Sequence, residues 1–283
     1  MRWQGRRKST NIEDRRGMSS GRVALGGGAG LVAIVAVVLG LVFGLNTGDV
    51  VEKVSNLSGS ATTIASGTDE AGDFVAVILA DTEDYWTRTF EDLGLGEYTA
   101  PSLVLYTGIV QTGSGTATSA TGPFYSPADK TIYIDLSFYK DLQTRYGAGG
   151  DAAQAYVIAH EVGHAVQDQL GLLDDVAAQE QGVSETTKNQ LSVRIELQAD
   201  LYAGLVAHYQ GDQKWLEPGD VEEALNAANA IGDDRLQNQA QGYVVPDSFT
   251  HGTSEQRVRW FMLGYETGDF AQGDTFSMPY AEL

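Results

Sequence analysis

"AYVIAHEVGHAVQDQLG", residues 155–171, places two of the chain's four histidines four positions apart, with Glu161 directly after the first. On an α-helix His160 and His164 stand one turn apart on the same face, so both imidazoles reach one ion. Glu161 is turned about 100° around the axis, which removes it as a third ligand but lets it reach a water on that ion. Val157, Ile158, Val162 and Val166 make the segment apolar over much of its circumference, as in a buried helix. Buried imidazoles need partners, and a metal supplies one. The bland alternative is a helix with two ordinary histidines, since a chance H-E-x-x-H is expected about once in a few hundred such chains. A third ligand in the correct place decides between the two.

The extended metzincin pattern H-E-x-x-H-x-x-G-x-x-H fails, because Gln167 stands where its glycine belongs and Leu170 where its third histidine belongs. "RIELQADLYAG", residues 194–204, instead offers Glu196 and Asp200 at i and i+4 on one face of a downstream helix. Glu196 is suited to ligate the ion, and Asp200 to accept the second ring N–H of a ligating histidine and fix its tautomer. A solvated acidic face is the competing reading of this pair. The chain has no cysteine, so thiolate ligands and disulfides are excluded and a transition-metal site must use histidine and carboxylate. Of the remaining histidines, His251 sits in a polar stretch just before a helix and is the candidate donor to a developing oxyanion, against the alternative of a surface group. Tyr202 and Tyr243 are weaker candidates for that role, and His208 reads as structural.

The N-terminus supplies the setting. Residues 1–22 carry seven of the 18 basic residues and only two of the 38 acidic ones. Residues 23–45, "VALGGGAGLVAIVAVVLGLVFGL", carry no charge and are long enough for a transmembrane helix, which needs about 20 residues. A cleaved signal peptide would have a shorter apolar core and an A-x-A-like site, and none follows here. The positive-inside rule then predicts a cytoplasmic basic tail over 1–22, one span over 23–45 and everything later outside the cell membrane. Residues 46–70 are polar, small and aperiodic, as in a flexible spacer. Residues 71–283 are sufficient for one domain with a real core. Outside residues 1–22 the chain holds 11 basic and 36 acidic residues, a formal net charge of −25, which excludes a nucleic-acid partner.

Within it, the spacing predicts a helix over 72–94, a strand at "SLVLYTG", a Gly/Ser/Thr-rich loop over 109–130 and a half-buried strand at "TIYIDLS". The helix carrying the histidines is expected to begin near Asp151, with further helices at about 184–210, 219–239 and 254–266. The fold class is α+β, dominated by helices.

"MRWQGRR", the apolar run, "SPADKTIYIDLSF", "AYVIAHEVGHAVQ", "ELQAD" and "HGTSEQRVRWF", in this order, resemble the bacterial membrane-anchored neutral zinc metallopeptidase family over nearly the whole chain apart from the spacer. The resemblance implies a zincin-like domain that binds Zn2+ through His160, His164 and Glu196, with Asp200 supporting a ligand histidine. It implies Glu161 as general base in zinc-assisted hydrolysis of peptide or protein substrates. "TIYIDLS" is the candidate edge strand for an extended substrate. The alternative from another class is a membrane-tethered binding or chaperone module in which zinc is a structural staple closed by a fourth protein ligand.

Overall fold

A computed structural model describes residues 1–17 and 69–283. The strands are β1 (Ile12–Asp14), β2 (Ser102–Tyr106), β3 (Ile109–Thr112), β4 (Gly115–Thr118), β5 (Phe124–Ser126) and β6 (Thr131–Asp135). The helices are α1 (Glu70–Leu93), α2 (Ser137–Tyr146), α3 (Asp151–Gln169), α4 (Leu172–Gln179), α5 (Glu185–Asp212), α6 (Asp220–Ala230), α7 (Asp233–Gln241) and α8 (Ser254–Thr267). The result is the expected helix-dominated α+β fold.

One sheet runs in the order β1-β2-β6-β5, parallel except for the β5–β6 pair. Leu103, Leu105, Ile132 and Ile134 face the helical core, while Val104, Tyr106 and Tyr133 pack with Val110 and Ala117 of the β3–β4 hairpin. Three predictions are therefore corrected. The 109–130 stretch is not a loop but a hairpin, a 3-10 turn and β5. The "TIYIDLS" strand is buried along its whole length instead of half-buried, because the hairpin covers its second face. It is also internal to the sheet, and β5 takes the edge position.

The histidine helix α3 lies in the core between α5, α6 and α1. It begins at Asp151 as expected, with Gly150, at φ 120°, as the N-cap. Close approach of α3 to α5 uses Gly163, where a Cβ would lie 3.2 Å from Ala199 Cα. The α5–α8 crossing is tighter, since a Cβ on Gly204 would lie 2.1 Å from the Phe261 carbonyl oxygen and one on Gly264 2.2 Å from that of Leu201. The helix expected over 219–239 is two helices, broken at Ile231–Gly232, and α2 and α4 are additional.

Residues 1–17 do not stand apart as a tail; they pack on the 71–283 domain. β1 pairs with β2 through Ile12–Leu103 register, and the Ser9 amide donates to the Ala76 carbonyl at 2.8 Å. Trp3 meets Phe74 edge-to-face at 5.5 Å, and the Arg6 guanidinium sits 3.3 Å from the centre of the Trp215 ring while pairing with buried Asp81. The Met1 ammonium fills the acidic cluster at the start of α3, 2.7 Å from Asp151 and 3.3 Å from Asp220. The sequence pattern missed this because the basic residues read as a charge run, whereas their partners are spread along α1. Among the described residues no helix is long and apolar enough to cross a membrane. The span expected over 23–45 and most of the 46–70 spacer lie outside the described residues, although Asp69 already caps α1.

Candidate metal centre

Two helices bring the site together. α3 presents His160, Glu161 and His164, and α5 crosses it with Glu196 and Asp200. One ligand atom from each of His160, His164 and Glu196 can be chosen so that all lie within 4.8 Å of one another. His160 Nε2 is 3.1 Å from Glu196 Oε2 and His164 Nε2 is 3.5 Å from Glu196 Oε1, so each imidazole faces one carboxylate oxygen.

The other ring nitrogens are engaged behind the site. His160 Nδ1 donates to Asp200 Oδ1 at 2.9 Å, and His164 Nδ1 to Gln167 Oε1 at 2.9 Å. The orientation of the Gln167 amide is fixed, because its Nε2 donates to the Ile195 carbonyl at 2.8 Å and to Gln198 Oε1 at 3.0 Å. With both Nδ1 atoms engaged behind the site, Nε2 of each histidine is the nitrogen that faces Glu196 and would meet a cation. Two imidazole nitrogens and one carboxylate are a donor set suited to zinc.

Asp200 is completely buried and is held from three sides. Tyr156 Oη donates to Oδ1 at 2.5 Å, and Arg257 donates from Nε to Oδ2 at 2.9 Å and from Nη2 to Oδ1 at 3.0 Å. Burial alone would raise the Asp200 carboxyl, but Arg257 and His160 hold it below its ordinary value. Burial likewise opposes charge on His160, yet Asp200 and Glu196 outweigh it and lift the imidazole to about 10. That same negative potential is what a divalent cation would meet. Glu196 is held well below the usual carboxylate range, where His164, His251 and His160 overcome its burial.

The histidines open onto a cleft of about 460 Å³ lined by Glu161, Glu196 and His251 and by apolar side chains including Phe124, Phe138 and Tyr146. His251 reaches the cleft from the loop before α8, with Nδ1 3.2 Å from Asp233 Oδ1. Asp233 also accepts the backbone N–H groups of Thr250 and His251, each at 2.7 Å, which fixes the loop. Tyr202 is buried and stacked on Phe270, and Tyr243 is exposed; neither lines the cleft. His208 also stands outside it, bonded through Nδ1 to the Tyr265 carbonyl at 2.7 Å. Sequence reasoning overlooked Arg257, Tyr156 and Gln167. Gln167 was legible as the i+3 neighbour of His164, whereas Arg257 needed the α5–α8 crossing.

The sequence model of the family described as "Putative neutral zinc metallopeptidase" matches residues 1–276. The chain belongs to that family. Proteins similar to it include the uncharacterized protein YpfJ of Escherichia coli (strain K12), 51% identical over 285 residues covering 98% of this chain and 99% of the relative. The uncharacterized protein Rv2575 of Mycobacterium tuberculosis (strain ATCC 25618 / H37Rv) is 46% identical over 191 residues, 64% of each chain. No solved structure matches. The family points to zinc as the cation for the His160, His164 and Glu196 group.

Proposed function

We propose that the protein is a zinc-dependent peptidase in which His160 and His164 hold the metal through Nε2 and Glu196 through its carboxylate, with Glu161 as general base. The observation that carries this reading is the convergence of those three donors on the floor of a cleft that Glu161 also lines. When bound, zinc supplies an open coordination position and the Lewis acidity that activates water and polarises a peptide carbonyl.

Glu161 takes the proton of the attacking water and returns it to the leaving amine. Asp200 and Gln167 keep the proton on Nδ1 of each ligand histidine, so that Nε2 remains a donor to the metal. His251 has Nδ1 engaged by Asp233, so Nε2 is the atom that would donate to the carbonyl oxygen as negative charge develops there. An extended peptide would add to the outer edge of β5, which packs against α3 beside the cleft. A purely structural zinc calls for closure by a fourth protein ligand and gives Glu161 no task; among the described residues the group has three members.

The test is metal content and hydrolysis by the purified full chain. One zinc per chain by elemental analysis, together with chelator-sensitive cleavage of an unbiased peptide library, supports the proposal. Absence of zinc after metal-replete expression overturns it, and a zinc-loaded chain that cleaves no peptide leaves the binding-module reading.

A further inference from the structure

Four of the seven basic residues of 1–22 are paired within the fold. Arg6 pairs with Asp81, Arg7 with Glu83 and Asp84 at 2.8 and 2.7 Å, Lys8 with Asp73 at 2.6 Å and Arg16 with Asp69. Four of the arm's cations thus match acidic residues of α1 and its N-cap. β1 meanwhile completes the sheet on β2: the Leu103 amide donates to the Asn11 carbonyl at 2.7 Å and the Arg15 amide to the Leu105 carbonyl at 2.8 Å. The Arg16–Asp69 pair joins the two chain segments where each meets the 18–68 interval, so that interval starts and finishes at one place.

This closure constrains the membrane relation of the whole chain. A single crossing by residues 23–45 would put their two flanks about 30 Å apart, on opposite faces of the hydrocarbon core. Residues 46–68 could not bring the chain back, because they include Asp49, Glu52 and Lys53 and hold no apolar run of spanning length. Exchange of arms between copies does not help either, since in copies of one orientation every arm would be across the membrane from every domain.

We propose that residues 1–17 and 69–283 form one folded unit that lies on one side of the membrane. The positive-inside signal loses force for this chain, because Arg6, Arg7, Lys8 and Arg16 are paired with acidic residues of α1 and its N-cap instead of being held by the cytoplasmic face. The proposal is independent of any peptidase chemistry.

The chain's lack of cysteine makes the test direct. Thr10 of the arm and Asp92 at the end of α1 are both exposed, so T10C and D92C are single-cysteine surface variants of the full chain. Each is treated in intact cells with a membrane-impermeant maleimide, and again after permeabilisation. The expected result is the same pattern for both, either labelled from outside or protected until permeabilisation. Labelling of one in intact cells and of the other only after permeabilisation overturns the proposal. In a second measurement, a carbodiimide applied to the purified full chain is expected to join Lys8 to Asp73, with the Lys130–Asp168 pair, also at 2.6 Å, as the internal control. Formation of the control link without the Lys8 link overturns the docked arm.

Discussion

Arg257 grips Asp200 at two points, Nε to Oδ2 at 2.9 Å and Nη2 to Oδ1 at 3.0 Å, with the arginine side chain 2% and the aspartate 0% exposed. This ion pair lies directly behind the candidate metal centre, because the same carboxylate accepts His160 Nδ1. Removing one partner of a buried pair costs about 3–5 kcal/mol, since the other is left charged and dry. Arg257→Met is therefore expected to lower Tm strongly and to weaken zinc binding, with Arg257→Lys recovering part of both. Unchanged zinc affinity in a folded Arg257→Met protein would separate Arg257 from the metal centre.

Glu196 and Asp200 are expected to respond differently to excess zinc. Glu196→Ala leaves two imidazoles to hold the ion, so metal and activity are both lost. Asp200→Asn retains an oxygen acceptor for His160 and is expected to lose about 10–100-fold in affinity or activity. Activity against free zinc concentration checks this: Asp200→Asn recovers at high zinc and Glu196→Ala does not. The reverse order would exchange their roles.

The α5–α8 crossing sets the position of Arg257, so its glycines matter at a distance. A Cβ on Gly264 would lie 2.2 Å from the Leu201 carbonyl oxygen and 3.0 Å from the Leu205 amide, and backbone atoms cannot swing aside. Overpacking costs about 1–3 kcal/mol or more. Gly264→Ala is expected to lower Tm and, by displacing α8, to loosen zinc. A melting temperature within error of the parent protein would contradict the crossing.

Much of the site could be read directly, because H-E-x-x-H and "ELQAD" are helical spacings and a helix fixes which side chains share a face. The α1, α3, α5 and α8 segments were legible for the same reason. Contacts between distant segments were not. Nothing local in "IVQTGSGTATSATGPFYS" shows that its Val110 and Ala117 cover Tyr133, so a hairpin read as a loop and a doubly covered strand as a half-exposed one. Arg6, Arg7 and Lys8 read as a solvated cationic run until Asp81, Glu83 and Asp73 were found opposite them. Arg257 lies within "HGTSEQRVRWF", but no local spacing there points to Asp200, and it acquires its place only from packing.

Asp81 gives the fold a pH signature. Burial pushes its carboxyl up to about 6, even with Arg6 and Gln210 beside it. A carboxyl raised in the folded state favours folding when protonated, so this contribution is complete below about 4, its ordinary range, and is lost as pH rises through about 6. Asp81→Asn is expected to flatten the dependence of Tm on pH between those values, and Arg6→Met to extend the loss above pH 6. Parallel Tm curves for Asp81→Asn and the parent would contradict the shift.

The claim that Glu161 is the general base is tested most directly by comparing Glu161→Gln with the parent full chain for both zinc content and peptide cleavage. The amide keeps the shape and a hydrogen-bonding oxygen but cannot carry the proton from water to leaving amine. The account expects one zinc per chain in both proteins, with turnover lowered by at least about 100-fold in the variant. Full turnover by zinc-loaded Glu161→Gln would contradict it.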